Sequence, residues 1–404
     1  MRHLFFTLAL LLTASPSLAA IPPSRKADMV AIIPIRGPID SITVASFRSR
    51  LAQAEAAGAD AVVIELDTPG GELMATLELT NLIRSQAPAN TIAWINPFAF
   101  SAGTILALSA REIITSPEAT FGDAAPVTGL GPLPAAERAK IESPLLAEVT
   151  EAARRRTYDE KLVQAFVSVG IELWLLRDQK QGAVYIVDRE EFQDIFGKAP
   201  DETLTSITPP PSDAPFEVHP LLTMMSEWQP SSDGPMDIDE LQTRPPVRTQ
   251  LSQEDAERLV PLGQVVSSDR LLTLKPWEAE AYGLSSGTVA NDDELRLFLG
   301  AQHMLRIEPT WSESLVQLLM SWPVRAAFIA LFVICMLVEM ALPGTGWFGL
   351  GALAALVVLL GTPMLIGLAS WWDVAAVAIG LVLIAVEILF IPGTIIAGMT
   401  GAVL

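Results

Sequence analysis

The sequence predicts a layered α/β domain on a mainly parallel sheet, followed by an α-helical transmembrane bundle. Two observations carry this. Between residues 29 and 115, short runs rich in Ile and Val alternate with longer segments of helical spacing, as when helices cross over a buried parallel sheet. From residue 321 to 404 the only charged side chains are Arg325, Glu339, Asp373 and Glu387, set in long apolar stretches.

The chain opens with Met1-Arg2-His3 and an apolar run, Leu4 to Ala14, that is too short to span a bilayer. Ser17 and Ala19 then place small residues at −3 and −1 of a cleavage site, so residues 1–19 read as a signal peptide and the next domain as exported. The first part of that domain, residues 20–196, begins with a strand at Met29 to Ile35. A helix follows from Ser41 to Ala57, with Ser41 as N-cap. A second strand, Ala61 to Leu66, ends in Asp67-Thr68-Pro69-Gly70-Gly71. Glu72 to Ser85 reads as helix, Thr91 to Ile95 as strand, Ser101 to Ala110 as a helix of small residues, and Glu112 to Thr115 as a short strand. Pro134 to Ser143 has helical spacing and is interrupted at Pro144.

Residues 197–260 form an insertion, broken up by Pro209-Pro210-Pro211, Pro230 and Pro245-Pro246. The domain closes over residues 261–305. Here Leu271 to Leu274 reads as strand, Pro276 to Ala281 as a helix ending at Gly283, and Gly287 to Ala290 as another strand. A juxtamembrane segment, 306–323, leads into the membrane region at 324–404. Three spans are expected there, at Ala326 to Leu342, Gly349 to Ala369 and Val374 to Ile391, and Ile395 to Leu404 begins a fourth. Val338-Glu339 before Pro343-Gly344 is echoed by Val386-Glu387 before Pro392-Gly393, which suggests a duplicated two-helix unit. Both glutamates lie close to a Pro-Gly break, where freed backbone N–H groups or interfacial water can satisfy them.

With 46 acidic against 26 basic side chains the net charge is −20, which argues against nucleic acid as a partner. One Cys and three His, at positions 3, 219 and 303, give no cluster at metal-ligand spacing, and neither a metal nor a cofactor is expected.

Two loops attract chemistry. At Ser101-Ala102-Gly103 a serine stands where strand gives way to helix, so free amides at the helix N-terminus can stabilise an oxyanion beside the hydroxyl. At Gly70-Gly71 the backbone can approach a substrate closely. Alone, the first is an ordinary helix cap and the second an ordinary turn; following successive strands of one sheet, they point to a shared cleft. A serine nucleophile needs a base. His219 sits beside Pro220 in the insertion and His303 near the last soluble helix, so a Ser-His-Asp arrangement has little support. Among six lysines, Lys140 follows Ser101 in a short helical segment. Burial would lower its pKa toward a base's range, whereas composition alone favours a solvated helix lysine.

The runs Asp67-Thr68-Pro69-Gly70-Gly71, Ser101-Ala102-Gly103-Thr104, Phe121-Gly122-Asp123-Ala124-Ala125-Pro126-Val127 and Lys140-Ile141-Glu142-Ser143 resemble the membrane-bound NfeD proteins of the ClpP/crotonase superfamily. The likeness continues through Leu272-Thr273-Leu274, Glu278-Ala279, Tyr282-Gly283-Leu284 and the Val-Glu and Pro-Gly repeats, and covers most of the chain outside the insertion. It implies a ClpP/crotonase-like fold and a serine endopeptidase with a Ser-Lys dyad. Ser101 matches the family nucleophile, Lys140 its general base, and Gly70, Gly71 and the Ala102 amide its oxyanion hole. The resemblance also implies hydrophobic peptide segments as substrates, stomatin-like membrane proteins as substrates or partners, and a dimeric or higher assembly. With the signal peptide, it places a multi-pass protein in the cell membrane with its protease domain on the extracytoplasmic side. Asp123 departs from the pattern by standing where a small residue is expected; a carboxylate near Lys140 would raise the lysine pKa. The insertion is longer than the family pattern and is placed to cover or gate a cleft. The competing expectation is a scaffold that keeps the fold and binds partners without hydrolysis. A crotonase-type acyl-CoA enzyme fits less well, given export and no basic patch for a nucleotide phosphate.

Overall fold

Strands β1 (Met29–Arg36) and β2 (Ala61–Thr68) are buried along nearly their whole length, which is why they read as unbroken apolar runs rather than alternating ones. The computed structural model that contains them describes residues 27–127, 135–200, 251–342 and 346–365, with isolated positions between 372 and 383. The expected signal peptide at residues 1–19, the proline cluster at 209–246, His219, Glu387 and most of the span expected at Val374 to Ile391 lie outside the described residues.

The main sheet runs in the order β10-β1-β2-β3-β5-β9, with β4 also on β3. These further strands are β3 (Thr91–Phe100), β4 (Glu112–Thr115), β5 (Thr120–Gly122), β9 (Thr273–Leu274) and β10 (His303–Arg306). Every pairing is parallel except β5 with β9, as the alternation of strand and helix requires. One face is covered by α1 (Ser41–Ala56), α2 (Leu73–Ser85), α3 (Ala102–Ser109), α4 (Ala135–Arg156) and α5 (Glu160–Gln164). Phe47, Leu51, Leu79, Ile105 and Val149 there join Ile33, Val62, Ile64 and Leu66 in one cluster. Each such buried side chain contributes about 1.5–3 kcal/mol. The other face carries a smaller cluster, in which Trp94, Val63 and Ile32 meet Leu295 and Leu299 of a later helix, Asp292–Leu299.

Several expectations need correction. The N-cap of α1 is Asp40, whose carboxylate accepts from Thr43 N at 2.9 Å, and Ser41 is the first helical residue. Strand β3 runs five residues past Ile95, to Phe100, and so delivers Ser101 directly. Pro144 does not end its helix: α4 continues to Arg156. The proline costs about 3 kcal/mol in a helix interior and removes the donor to the Lys140 carbonyl. Burial of Leu145, Val149, Ala152 and Ala153 beyond it outweighs that. Only Thr273 and Leu274 of the Leu271 to Leu274 segment pair as strand, and Gly287 to Ala290 yields a single bridge, Thr115 to Thr288.

The expected insertion at 197–260 ends inside a strand. A second, antiparallel sheet has the order β7-β6-β8, from β6 (Leu173–Asp178), β7 (Val184–Asp188) and β8 (Leu259–Val266). The chain on either side of the proline cluster is therefore paired. Pro261 hid β8 from the sequence, yet it lies on an outer strand at a register shift, where a missing N–H is tolerated. Helix α6 (Arg189–Phe196) follows β7 through a capping box at Asp188.

His303 opens β10, an edge strand anchored by charge. Glu65, buried on β2, accepts from Arg306 at 2.5 Å, Arg36 at 3.1 Å and Asn96 at 3.0 Å. Helix α7 (Pro276–Ala281) carries Glu280, which accepts from Thr288 Oγ1 at 2.6 Å. Burial raises the Glu280 carboxyl above the usual range. A carboxyl raised in the fold gives its full stabilisation below the unfolded pKa and loses it as pH climbs through the folded value. Glu280→Gln keeps the acceptor and removes the ionisation, so its Tm relative to the parent is expected to increase from about pH 4 to about pH 7. Thermal melts across that range check this; a constant difference would show that the carboxyl is not destabilised by burial.

Beyond α8 (Asp292–Leu299) come α9 (Trp311–Met320), α10 (Trp322–Ala341) and α11 (Trp347–Leu365). Helix α10 has 20 residues and a mean hydropathy of 2.2, long and apolar enough to cross a membrane. Its Glu339 carboxylate accepts from the N–H groups of Gly346, at 3.1 Å, and Gly349, at 3.0 Å, around the start of α11. Backbone donors beside the Pro-Gly break do satisfy this carboxylate.

Candidate active site

Ser101 occupies the one-residue joint between β3 and α3, with φ 51° and ψ −116°. A side chain held there costs about 1–3 kcal/mol, and the surroundings fix it in place. Its N–H donates to Gly122 O at 3.0 Å, and its carbonyl accepts from Thr104 N at 3.0 Å and Ile105 N at 3.3 Å. Thr104 is fully buried; its Oγ1 accepts from Gly122 N at 2.8 Å and lies 2.7 Å from Ala99 O and 3.0 Å from Gly122 O, either of which can take its proton.

The Gly-Gly loop closes on this joint. Gly70 has φ +114°, and a Cβ there would stand 2.6 Å from Ser101 Cβ and 3.1 Å from Oγ. Gly71 bridges to Ile39, with Ile39 N donating to Gly70 O at 2.9 Å and Glu72 N to Ile39 O at 2.8 Å. A Cβ on Gly71 would be 2.0 Å from Ile39 O. The two sequence loops thus meet, as expected from strands β2 and β3 being neighbours.

Of the three groups expected to hold an oxyanion, the Gly71 and Ala102 amides have no hydrogen-bond partner among the described residues. The Gly70 N–H donates to Thr68 Oγ1 at 3.1 Å, so Gly70 contributes close packing rather than a spare donor. Ala102 opens α3, where the helix dipole adds about half a positive charge.

Two tethers set the direction of α4. Arg156 Nε donates to Ala110 O at 3.1 Å, tying the C-terminal ends of α4 and α3 together. At the other end, Ser168 Oγ donates to Glu142 at 3.0 Å, and the same loop receives Ala124 N at Phe166 O, 2.7 Å, two residues from Gly122. Helix α4 therefore carries Lys140 toward the Ser101 end of the domain. Lys140 is exposed and makes no hydrogen bond or ion pair among the described residues, and none with Ser101 Oγ. Asp123, at φ 49° and exposed, makes no ion pair with Lys140. His303 is three strands from β3, about 14 Å at the usual strand spacing, and serves no role beside Ser101.

Thr104 closes the Ser101-Ala102-Gly103-Thr104 run, and its role as a clamp is not legible in the sequence. A lone hydroxyl in an otherwise apolar helix start was the available signal. Thr104→Val keeps the shape and strands the buried Gly122 N–H, an expected loss of about 1–3 kcal/mol. Thermal denaturation checks this, and an unchanged Tm would mean that the clamp does not hold the joint.

These features define a membrane-anchored α/β protein with a serine displayed at a strand-to-helix joint. Residues 29–195 match the N-terminal domain of NfeD1b, and residues 323–404 match the NfeD integral membrane domain. The chain belongs to the NfeD family. It is 34% identical over 160 residues to membrane protein NfeD1b of Bacillus subtilis (strain 168), covering 39% of this chain and 35% of that one. It is 28% identical over 194 residues to the membrane-bound protease PH1510 of Pyrococcus horikoshii, covering 47% of this chain and 42% of that one. The chain thus spans less than half the length of these curated relatives. A solved structure of a 1510-N membrane-bound stomatin-specific protease, a lysine-to-alanine mutant with a substrate peptide, aligns at 17% identity and a TM-score of 0.42, over 72% of this chain and 96% of that one.

Proposed function

We propose that the protein is a membrane-anchored serine endopeptidase that cuts hydrophobic segments of membrane-associated proteins. The observation that carries this reading is Ser101, held in a strained conformation beside the unpartnered amides of Ala102 and Gly71. The likeness to a relative named as a membrane-bound protease supports it. In the reaction, neutral Lys140 takes the Ser101 hydroxyl proton as Oγ attacks the peptide carbonyl carbon. The Gly71 and Ala102 amides hold the oxyanion, and the Lys140 ammonium returns the proton to the departing amine. A water molecule, deprotonated by Lys140, then releases the acyl group from Ser101. Lys140 is solvated in the free protein, and a bound apolar segment would exclude water from it. Exposed Met74 after the Gly-Gly loop, and Phe98 stacked on Phe100 before Ser101, suit such a segment.

The same reading has several transmembrane passes, an extracytoplasmic protease domain, a stomatin-like substrate or partner and a homo-oligomeric assembly. A scaffold that binds without cutting is favoured by one observation, the absence of a Ser101–Lys140 hydrogen bond. The full chain in lipid nanodiscs, given peptides from the apolar segments of a stomatin-like protein, separates the two. Cleavage by the parent and none by Ser101→Ala or Lys140→Ala supports the protease; binding by all three folded proteins with no cleavage supports the scaffold.

A further inference from the structure

Helix α9 joins the α/β domain to α10, and it has two dissimilar sides. Glu313 points back to the domain, accepting from Ser46 Oγ of α1 at 2.6 Å. Trp311, Leu315 and Leu318 follow the i, i+4, i+7 spacing of a single helix face, and at 100° per residue that face lies opposite Glu313. All three are exposed, Trp311 by 79%, Leu315 by 44% and Leu318 by 57%. Such a stripe is unusual on a surface in water.

What covers it follows from its position. Only Ser321 separates α9 from α10, and Ser321 is extended, with ψ 138°, so the chain changes direction there. Trp322, 80% exposed, opens α10, and exposed Arg325 follows within its first turn as the sole basic residue from 321 to 404. Tryptophan and arginine at the start of a span favour the headgroup boundary, where an indole bridges apolar and polar zones and a guanidinium meets lipid phosphate. An amphipathic helix that leaves a span at that level is placed to lie in the interface plane.

We infer that α9 is an interfacial helix whose Trp311, Leu315 and Leu318 face sits in the headgroup and acyl boundary of the bilayer that α10 crosses. Through the Ser46–Glu313 bond it sets the height of the α/β domain above the membrane. This holds whether or not the domain is a protease.

The test uses the full chain with Cys335→Ala and single cysteines at Leu315, Leu318 or Gln317. Each is labelled with an environment-sensitive fluorophore in nanodiscs of phosphatidylcholine and phosphatidylglycerol. Labels at 315 and 318 are expected to be quenched several-fold more by lipids with a nitroxide near the headgroup than the label at exposed Gln317, and several-fold less by aqueous iodide. Equal iodide quenching at all three sites would put the face in water and overturn the inference. Protection from both quenchers at 315 and 318 would also overturn it, by showing that protein covers the face. None of these readouts depends on peptide cleavage, so a failed protease reading and a failed interfacial helix give different results.

Discussion

Ser101→Gly is expected to abolish peptide hydrolysis and raise Tm in the same variant. In the proposed mechanism the hydroxyl is the nucleophile, so its removal takes cleavage to background. The left-handed φ of 51° at this joint costs a side chain about 1–3 kcal/mol, which glycine does not incur. Glycine returns about 0.5–1 kcal/mol through its looser unfolded chain, leaving a net gain of up to about 2 kcal/mol. At about 2–4 °C per kcal/mol for a domain of this size, a rise of several degrees is expected. Ser101→Ala separates the two effects, because it is equally inactive but keeps a Cβ in the strained position and gains nothing. Thermal melts beside a cleavage assay check both variants. A glycine variant that melts lower than the parent would mean that the surroundings do not impose the strain, and cleavage by the alanine variant would remove Ser101 from the mechanism.

The second large effect belongs to Gly70→Ala. Its Cβ would lie 2.6 Å from Ser101 Cβ, where carbon atoms settle at about 3.5–4.0 Å, so the loop or the serine must move by about an ångström. A displacement of that size at a reacting group costs about 100-fold in rate. The φ of +114° adds about 1–3 kcal/mol of backbone strain for any side chain. Gly58→Ala is the matched control, since it too has a positive φ, +75°, but meets open space. It is expected to lose stability and keep full kcat/KM, while Gly70→Ala loses both. Equal activity in the two variants would mean that contact between the Gly-Gly loop and Ser101 does not position the nucleophile.

The elements legible in the sequence were the ones whose evidence is local. Strands β1 and β2 announce themselves because both faces are buried, and the Ser101 joint because strand and helix patterns abut there. What escaped notice depends on distant partners. Four residues, His303 to Arg306, become an edge strand only because β1 and the buried Glu65 receive them from more than two hundred residues away. Strand β8 was obscured by Pro261 and Gly263, which an outer strand tolerates. The local rule that proline ends a helix failed at Pro144 because a long-range core holds the far half of α4 in place. At the site, the strand-to-helix pattern drew attention to Ser101 and the Gly70-Gly71 loop and the family resemblance supplied the role of Lys140, but only coordinates reveal that the Gly70 amide is already engaged and that Lys140 is solvated.

Covalent capture of the serine tests the central claim most directly. The full chain in nanodiscs is treated with a fluorophosphonate probe, which forms a stable bond only with an activated hydroxyl, and the adduct is mapped by mass spectrometry. We predict a single adduct on Ser101, absent from Ser101→Ala and slowed about 10²–10⁴-fold in Lys140→Ala, the range for losing a general base. Peptide cleavage that proceeds while Ser101 stays unlabelled, or equal labelling of the parent and Lys140→Ala, would contradict the dyad.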